Sequence, residues 1–142
     1  MPEKSLTGIL VDKINELVFG NEVYKGKPVG TVTIFQDDIR ISTNVLNDKG
    51  ERAVGTRVSK EVYDRVVIKG ISWKDRAFVV TDWYFTTYEP IKDISGNIIG
   101  ILYVGILEKP YADLKIAFFC RFLNFCNNQH VFSFIYFIPF SI

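Results

Sequence analysis

The first 115 residues contain no cysteine and no histidine; Cys120, Cys126 and the single histidine, His130, all lie further along the 142-residue chain. A body without thiol or imidazole has no cysteine nucleophile, no histidine general base and no soft metal ligand. Thiol catalysis, histidine-based acid–base catalysis and a zinc site are therefore excluded there, and no cofactor or metal is expected. Scarcity of cysteine suits an oxidising compartment, although it is shared by many cytosolic domains of this size. An excess of positive charge is also missing. Of the 17 Lys and Arg only Arg121 lies beyond residue 115, leaving 16 basic residues against 16 acidic ones in the body. That balance offers nothing to a phosphate backbone, so nucleic acid is not an expected partner. The N-terminus, MPEKSLTGILVDKINELVFG, carries Glu3 and Lys4 and has no unbroken apolar run of signal-peptide length.

What is present reads as one domain of alternating elements. Leu6, Leu10, Ile14, Leu17 and Val18 fall at helical spacing, which predicts an amphipathic helix over 5–19, closed by Gly20, whose apolar stripe covers a sheet. Residues 30–36 and 39–45 form a β-hairpin around Asp37-Asp38, and Asn47-Asp48-Lys49-Gly50 is a turn. Ser59, Glu61 and Asp64 open a short helix carrying Val62, Val66 and Val67 before Gly70. Strands follow over 73–81 and 83–91. After the turn at 93–97 comes 98–106, whose nearly continuous apolar character suits a sheet centre.

The order of the pieces, GTVTIFQDDIRISTNV, then DKGERAVGTRVS, then FVVTDWYFTTYEPIKDISGNIIGILYVGI, resembles the extracytoplasmic Cache sensor domains of bacterial chemoreceptors and histidine kinases. The resemblance covers Val11 to about Tyr111. It implies an α+β, PAS-like fold, with a central antiparallel sheet of about five strands and the N-terminal helix packed on it. It also implies a periplasmic, ligand-binding receptor module rather than an enzyme, recognising a small carboxylate or amino acid, with homodimerisation through the N-terminal helix. Members of that family begin with a membrane helix followed by a long helix, so this chain is expected to start partway along the second one.

Two groups of residues are candidates for the pocket. Tyr84, Thr86 and Tyr88 alternate along one strand and so share a face, where two phenols bracketing a hydroxyl make a wall with an apolar body and polar tips. Arg40 could hold a carboxylate through two parallel hydrogen bonds, but strict alternation puts Thr43 on the opposite face unless a bulge intervenes. A surface Arg40 paired with Asp37 or Asp38 is the competing reading, and the resemblance favours the pocket. Arg76 is a weaker candidate. Thr56 is assigned to capping its turn, and Trp73 and Trp83 to packing. No constellation points to catalysis, since an enzyme built on carboxylates would need a close pair of them in the cavity.

Residues 116–142 have a different composition: they hold 8 of the 12 Phe, both Cys and no acidic residue. A membrane span needs about 20 mostly apolar residues, and Arg121, Asn124, the run Asn127-Asn128-Gln129-His130 and Pro139 interrupt this one. Residues 1–115 are therefore taken as the sensor domain, with the sheet over 29–107. Residues 116–142 are read as a degraded or out-of-frame end, with a membrane-associating hydrophobic hairpin as the alternative.

Overall fold

The computed structural model describes residues 6–123, which fall into two compact units divided between Glu108 and Lys109. The first unit opens with α1 (Leu6–Phe19), a two-residue-per-strand hairpin of β1 (Val23–Tyr24) and β2 (Lys27–Pro28), and a longer hairpin of β3 (Gly30–Gln36) and β4 (Ile39–Thr43). Helix α2 (Lys60–Tyr63) then runs into a π-helical turn over Asp64–Ile68, and β5 (Trp73–Val79), β6 (Asp82–Lys92) and β7 (Ile98–Leu107) complete the unit. The described part of the second unit is α3 (Lys109–Leu123).

Five strands make one antiparallel sheet in the order β4-β3-β7-β6-β5. The apolar β7 occupies the centre, as its composition predicts, paired with β3 on one edge and β6 on the other. The β3–β4 hairpin, the short helix and the turns at 47–50 and 93–97 fall where sequence patterning puts them, whereas the β1–β2 hairpin was not foreseen and the β5–β6 turn comes one or two residues earlier than expected, at Val80-Thr81. Ser59 caps α2, its hydroxyl accepting from the Val62 amide at 3.4 Å.

Helix α1 packs on β3 and β4, but through the face opposite to the expected one. At 100° per residue Leu6, Leu10 and Leu17 lie within about 40° of one another, and they face outward, with Leu6 86% and Leu17 73% exposed. Val11 and Asn15 are the buried positions instead. The reason is steric. The sheet offers a notch at Gly30, where any side chain would collide with the Phe19 ring at 2.0 Å, so Phe19 and the residues on its side of the helix turn inward.

The other face of the sheet carries the main core, in which Phe35, Ile101, Tyr103 and Leu107 pack with Val62 and Val66 of the α2 segment. Tyr103 lies over Gly105, which has no side chain to obstruct it, and its hydroxyl meets Thr31 Oγ1 at 2.9 Å. Strand gives way to helix between Leu107 and Lys109, so α3 runs across the boundary at 115 that composition suggested. Most of the expectation for 116–142 falls on 124–142, outside the described residues. No helix among the described residues is long and apolar enough to cross a membrane.

Candidate functional site

The β3–β4 hairpin contains a bulge. Thr33 pairs with Thr43 and Ile34 with Ser42, but Phe35 pairs with Arg40, leaving Ile41 as the extra residue. This single insertion restores phase between Arg40 and Thr43, so both join Thr33 and Phe35 on the core face. Register extends the same face across the sheet: Thr33 is opposite Tyr103, Tyr103 opposite Tyr88, and Tyr88 opposite Trp73.

Over this face lies a partly open cleft of about 780 Å³, within the range of small-molecule sites. Its floor includes Arg40, Trp73 and Tyr88, and the segment Thr56–Val62 forms one wall. The tip of the β5–β6 hairpin forms part of the rim. There Val80 has φ +59°, a conformation costly for a β-branched residue.

Six residues were read from the sequence as the site, and three of them line the cleft: Arg40, Arg76 and Tyr88. The other three belong to the packed layer below it. Tyr84 is 2% exposed within the core, Thr86 Oγ1 donates to the Asp75 carbonyl at 2.6 Å, and Thr43 Oγ1 is shared between Thr33 Oγ1 at 2.6 Å and the Val45 amide at 3.0 Å. Alternation sorted the strand's residues by face. It could not say how far along that face the cleft extends.

The three arginines of the cleft differ in their partners. Arg76 makes a bidentate pair with Glu108, at 2.7 and 3.0 Å, and stacks 4.7 Å from the Trp83 ring centre. Arg57 pairs with Asp38. Arg40 is 3% exposed, and no carboxylate pairs with it among the described residues. Its Nη1 donates to Thr56 Oγ1, which in turn donates to the Ala53 carbonyl at 2.8 Å, so Thr56 caps its turn and also steadies the guanidinium. The guanidinium carbon sits 5.0 Å from the Phe35 ring centre, and Nε is buried without a partner. A surface Arg40 held by Asp37 or Asp38 is thereby ruled out, since Asp37 accepts from the Tyr63 hydroxyl and Asp38 holds Arg57.

Burial lowers the pKa of Arg40, and the nearby Tyr88 and Tyr103 partly offset the effect. An arginine remains charged regardless. Burial pushes Tyr88 up to about 12, with Arg40 pulling the other way, and Tyr103 well above its ordinary value. Both phenols are therefore neutral donors at physiological pH. The site thus combines one buried positive charge with hydroxyl groups on an aromatic floor, where Tyr88 packs 4.8 Å from Tyr103 and 6.3 Å from Phe35, centre to centre. It suits an anion with a short apolar body.

Sequence reasoning assigned Trp73 to packing alone. The β5–β6 hairpin register contained the missing signal, because pairing Val79 with Asp82 across Val80-Thr81 brings Trp73 opposite Tyr88. Comparison with known proteins finds no curated relative that matches the chain. The family model described as single Cache domain 3 matches residues 5–117.

Proposed function

Because the chain belongs to the single Cache domain family, we propose that it is the ligand-binding sensor region, whole or in part, of a bacterial transmembrane chemoreceptor or sensor histidine kinase. Cache domains are extracytoplasmic sensors, generally ligand-binding and generally non-catalytic. The ligand is a small organic acid or amino acid in the periplasm. Its carboxylate sits on Arg40, with the Tyr88 hydroxyl beside it, while Arg76 borders the cleft and Thr43, Tyr84 and Thr86 support the floor from beneath.

The observation that carries this reading is that the buried Arg40 has no carboxylate partner among the described residues. An ion moved from water into a protein interior costs several kcal/mol even after relaxation, and a carboxylate in the cleft would offset that cost. Binding would draw the Thr56–Val62 wall toward the floor and bias α1, the route by which such domains pass a signal on. The test is a thermal-shift screen of organic acids and amino acids on the full chain. A ligand at 100 times its Kd adds about 2.7 kcal/mol, and Arg40→Lys or Arg40→Ala should abolish most of that gain because neither can form the bidentate pair. Equal stabilisation of both variants would remove Arg40 from the site.

A second reading rests on the outward stripe of Leu6, Leu10 and Leu17. It suits a homodimer through α1, and a domain that only dimerises its parent receptor would need no ligand. Sedimentation of the full chain separates the two: dimerisation with no response to any acid would favour the second reading. Membrane contact through residues 116–142 is a further part of the proposal, tested by flotation with lipid vesicles.

A further inference from the structure

The two edges of the sheet end differently. Along β4 the chain covers its own edge: the Arg40 amide donates to the Thr56 carbonyl at 2.8 Å, the Gly55 amide to the Arg40 carbonyl at 2.8 Å, and the Val58 amide to the Asp38 carbonyl at 3.0 Å. Strand β5 is the other edge, and among the described residues no backbone bond reaches its outer side from another element. Which atoms lie there follows from the turn. Val79 pairs with Asp82 across a two-residue loop, so these two exchange both ladder bonds, and so do Ala77 with Tyr84 and Asp75 with Thr86. The N–H and C=O groups of Lys74, Arg76 and Phe78 therefore point away from the sheet, and all three residues are exposed. Side-chain bonds agree: Thr86 Oγ1 reaches the inward Asp75 carbonyl, while the outward Arg76 amide donates to Asp75 Oδ1 at 2.7 Å. The large cleft opens at this edge, because its lining includes every residue from Asp75 to Val80, whereas alternate residues of a strand face opposite ways. Shortness, proline and bulges are common guards of an edge, but β5 has seven residues, no proline and an unbroken register with β6. The guard that remains is charge, which selects a partner.

We propose that the free edge of β5 is a docking site for an extended acidic segment of another polypeptide, added to the sheet as a sixth, antiparallel strand. Docking there is independent of the carboxylate site at Arg40. The outer face of β5 specifies the side chains of the incoming strand. Lys74, with a side chain 71% exposed and a contact of 3.8 Å to Glu89, takes a carboxylate. Phe78, 58% exposed with the Trp83 ring edge-on at 5.7 Å, takes an apolar residue. In an antiparallel strand the apolar residue comes first and the acid four positions later. A second copy of β5 fits poorly. Pairing centred on Asp75 sets Lys74 against Arg76 and Asp75 against its own copy, and pairing centred on Arg76 opposes two arginines. Like charges directly opposite are destabilising. Pairing centred on Ala77 leaves Lys74 opposite the turn.

The probe is an acetylated and amidated seven-residue peptide of threonine with leucine second and glutamate sixth, added to the full chain. Amide exchange should slow at Lys74, Arg76 and Phe78 and stay unchanged at Asp75 and Ala77, whose amides already bond to β6. By calorimetry, N-methylation of the fourth peptide residue, whose amide faces β5, should weaken binding about tenfold, and N-methylation of the third or fifth should not. Lys74→Glu should weaken binding about twofold to fivefold, and lysine in place of the peptide's glutamate should restore it. Equal effects of methylation at the third and fourth residues, exchange that slows without alternation, or no binding at millimolar peptide would overturn the assignment. Slow exchange at the same three amides that grows with protein concentration in the absence of peptide would give the edge to a second copy and overturn it as well.

Discussion

The cleft beside α1 and the cleft over the opposite face of the sheet treat charge differently. Beside α1, a depression of about 530 Å³ is lined by Asp12, Lys13, Glu16 and Arg52, and its ions are paired within the protein: Arg52 with Asp12 at 2.7 Å and Lys13 with Glu16 at 3.0 Å. Among the described residues, the buried side-chain atoms without partners on that side are neutral, Asn15 Oδ1 and Ser42 Oγ. Over the other face, Arg57 and Arg76 are paired but Arg40, the most deeply buried ion among the described residues, has no carboxylate partner among them. Size alone would not separate the two depressions, since both fall within the range of ligand pockets. An unsatisfied charge does. Desolvating a neutral amide costs far less than desolvating a guanidinium, which is why the cleft with Arg40 is the one we propose takes an anion.

The contrast can be attacked at several points. The largest effect is expected from Phe35→Ala, which removes a 1% exposed ring from beneath Arg40 and should cost about 3–5 kcal/mol in urea unfolding. A loss under about 1 kcal/mol would mean that the floor is not the packed core described. Next comes pH. Burial raises Tyr84 and Tyr88 to about 12 from an ordinary 10.0, so between those values the folded chain holds protons that the unfolded chain releases. Stability from these groups is complete below about pH 10 and is lost as pH rises toward 12. Melting temperature should fall through that window, less steeply in Tyr84→Phe and Tyr88→Phe, and a flat profile would show the phenols to be solvated.

Smaller effects distinguish ligand contact from support. Tyr88→Phe keeps the ring and removes one donor, so affinity for a bound acid should drop by about 0.5–1.5 kcal/mol with little change in unfolding. Equal losses in both would mark Tyr88 as core alone. On the α1 side, Asp12→Asn breaks an ion pair whose partner Arg52 is 40% exposed, and such pairs contribute about 0.2–1 kcal/mol. Acid binding should not change. If it did, the two faces would be coupled through Arg52, which also donates to the Thr43 carbonyl at 3.1 Å.

The fold was legible where local chemistry and global packing agree. Alternation in β6, the apolar run of β7 and the Ser59 cap each has one structural solution. Helix α1 was harder, because its periodicity shows which residues share a face and cannot show which face docks, and the notch at Gly30 decided that. Arg40 and Thr43 were joined by a bulge that strand periodicity can allow but not locate. The depth of Tyr84 and the orphan N–H of Trp73 depend on where the α2 segment covers the sheet, a long-range fact absent from any short window.

Arg40→Met tests the central claim most directly, because methionine fills much of the same space without charge. Thermal unfolding of the full chain and this variant should be measured with and without the acid that stabilises the parent most in the thermal-shift screen, at 100 times its Kd. Without the acid, the variant should melt at the same temperature as the parent or higher, as expected when an unpaired buried ion becomes apolar. With the acid, the parent should gain about 2.7 kcal/mol and the variant none. A variant that melts far lower without ligand, or gains as much from the acid as the parent does, would contradict the reading of Arg40 as an ion waiting for its anion.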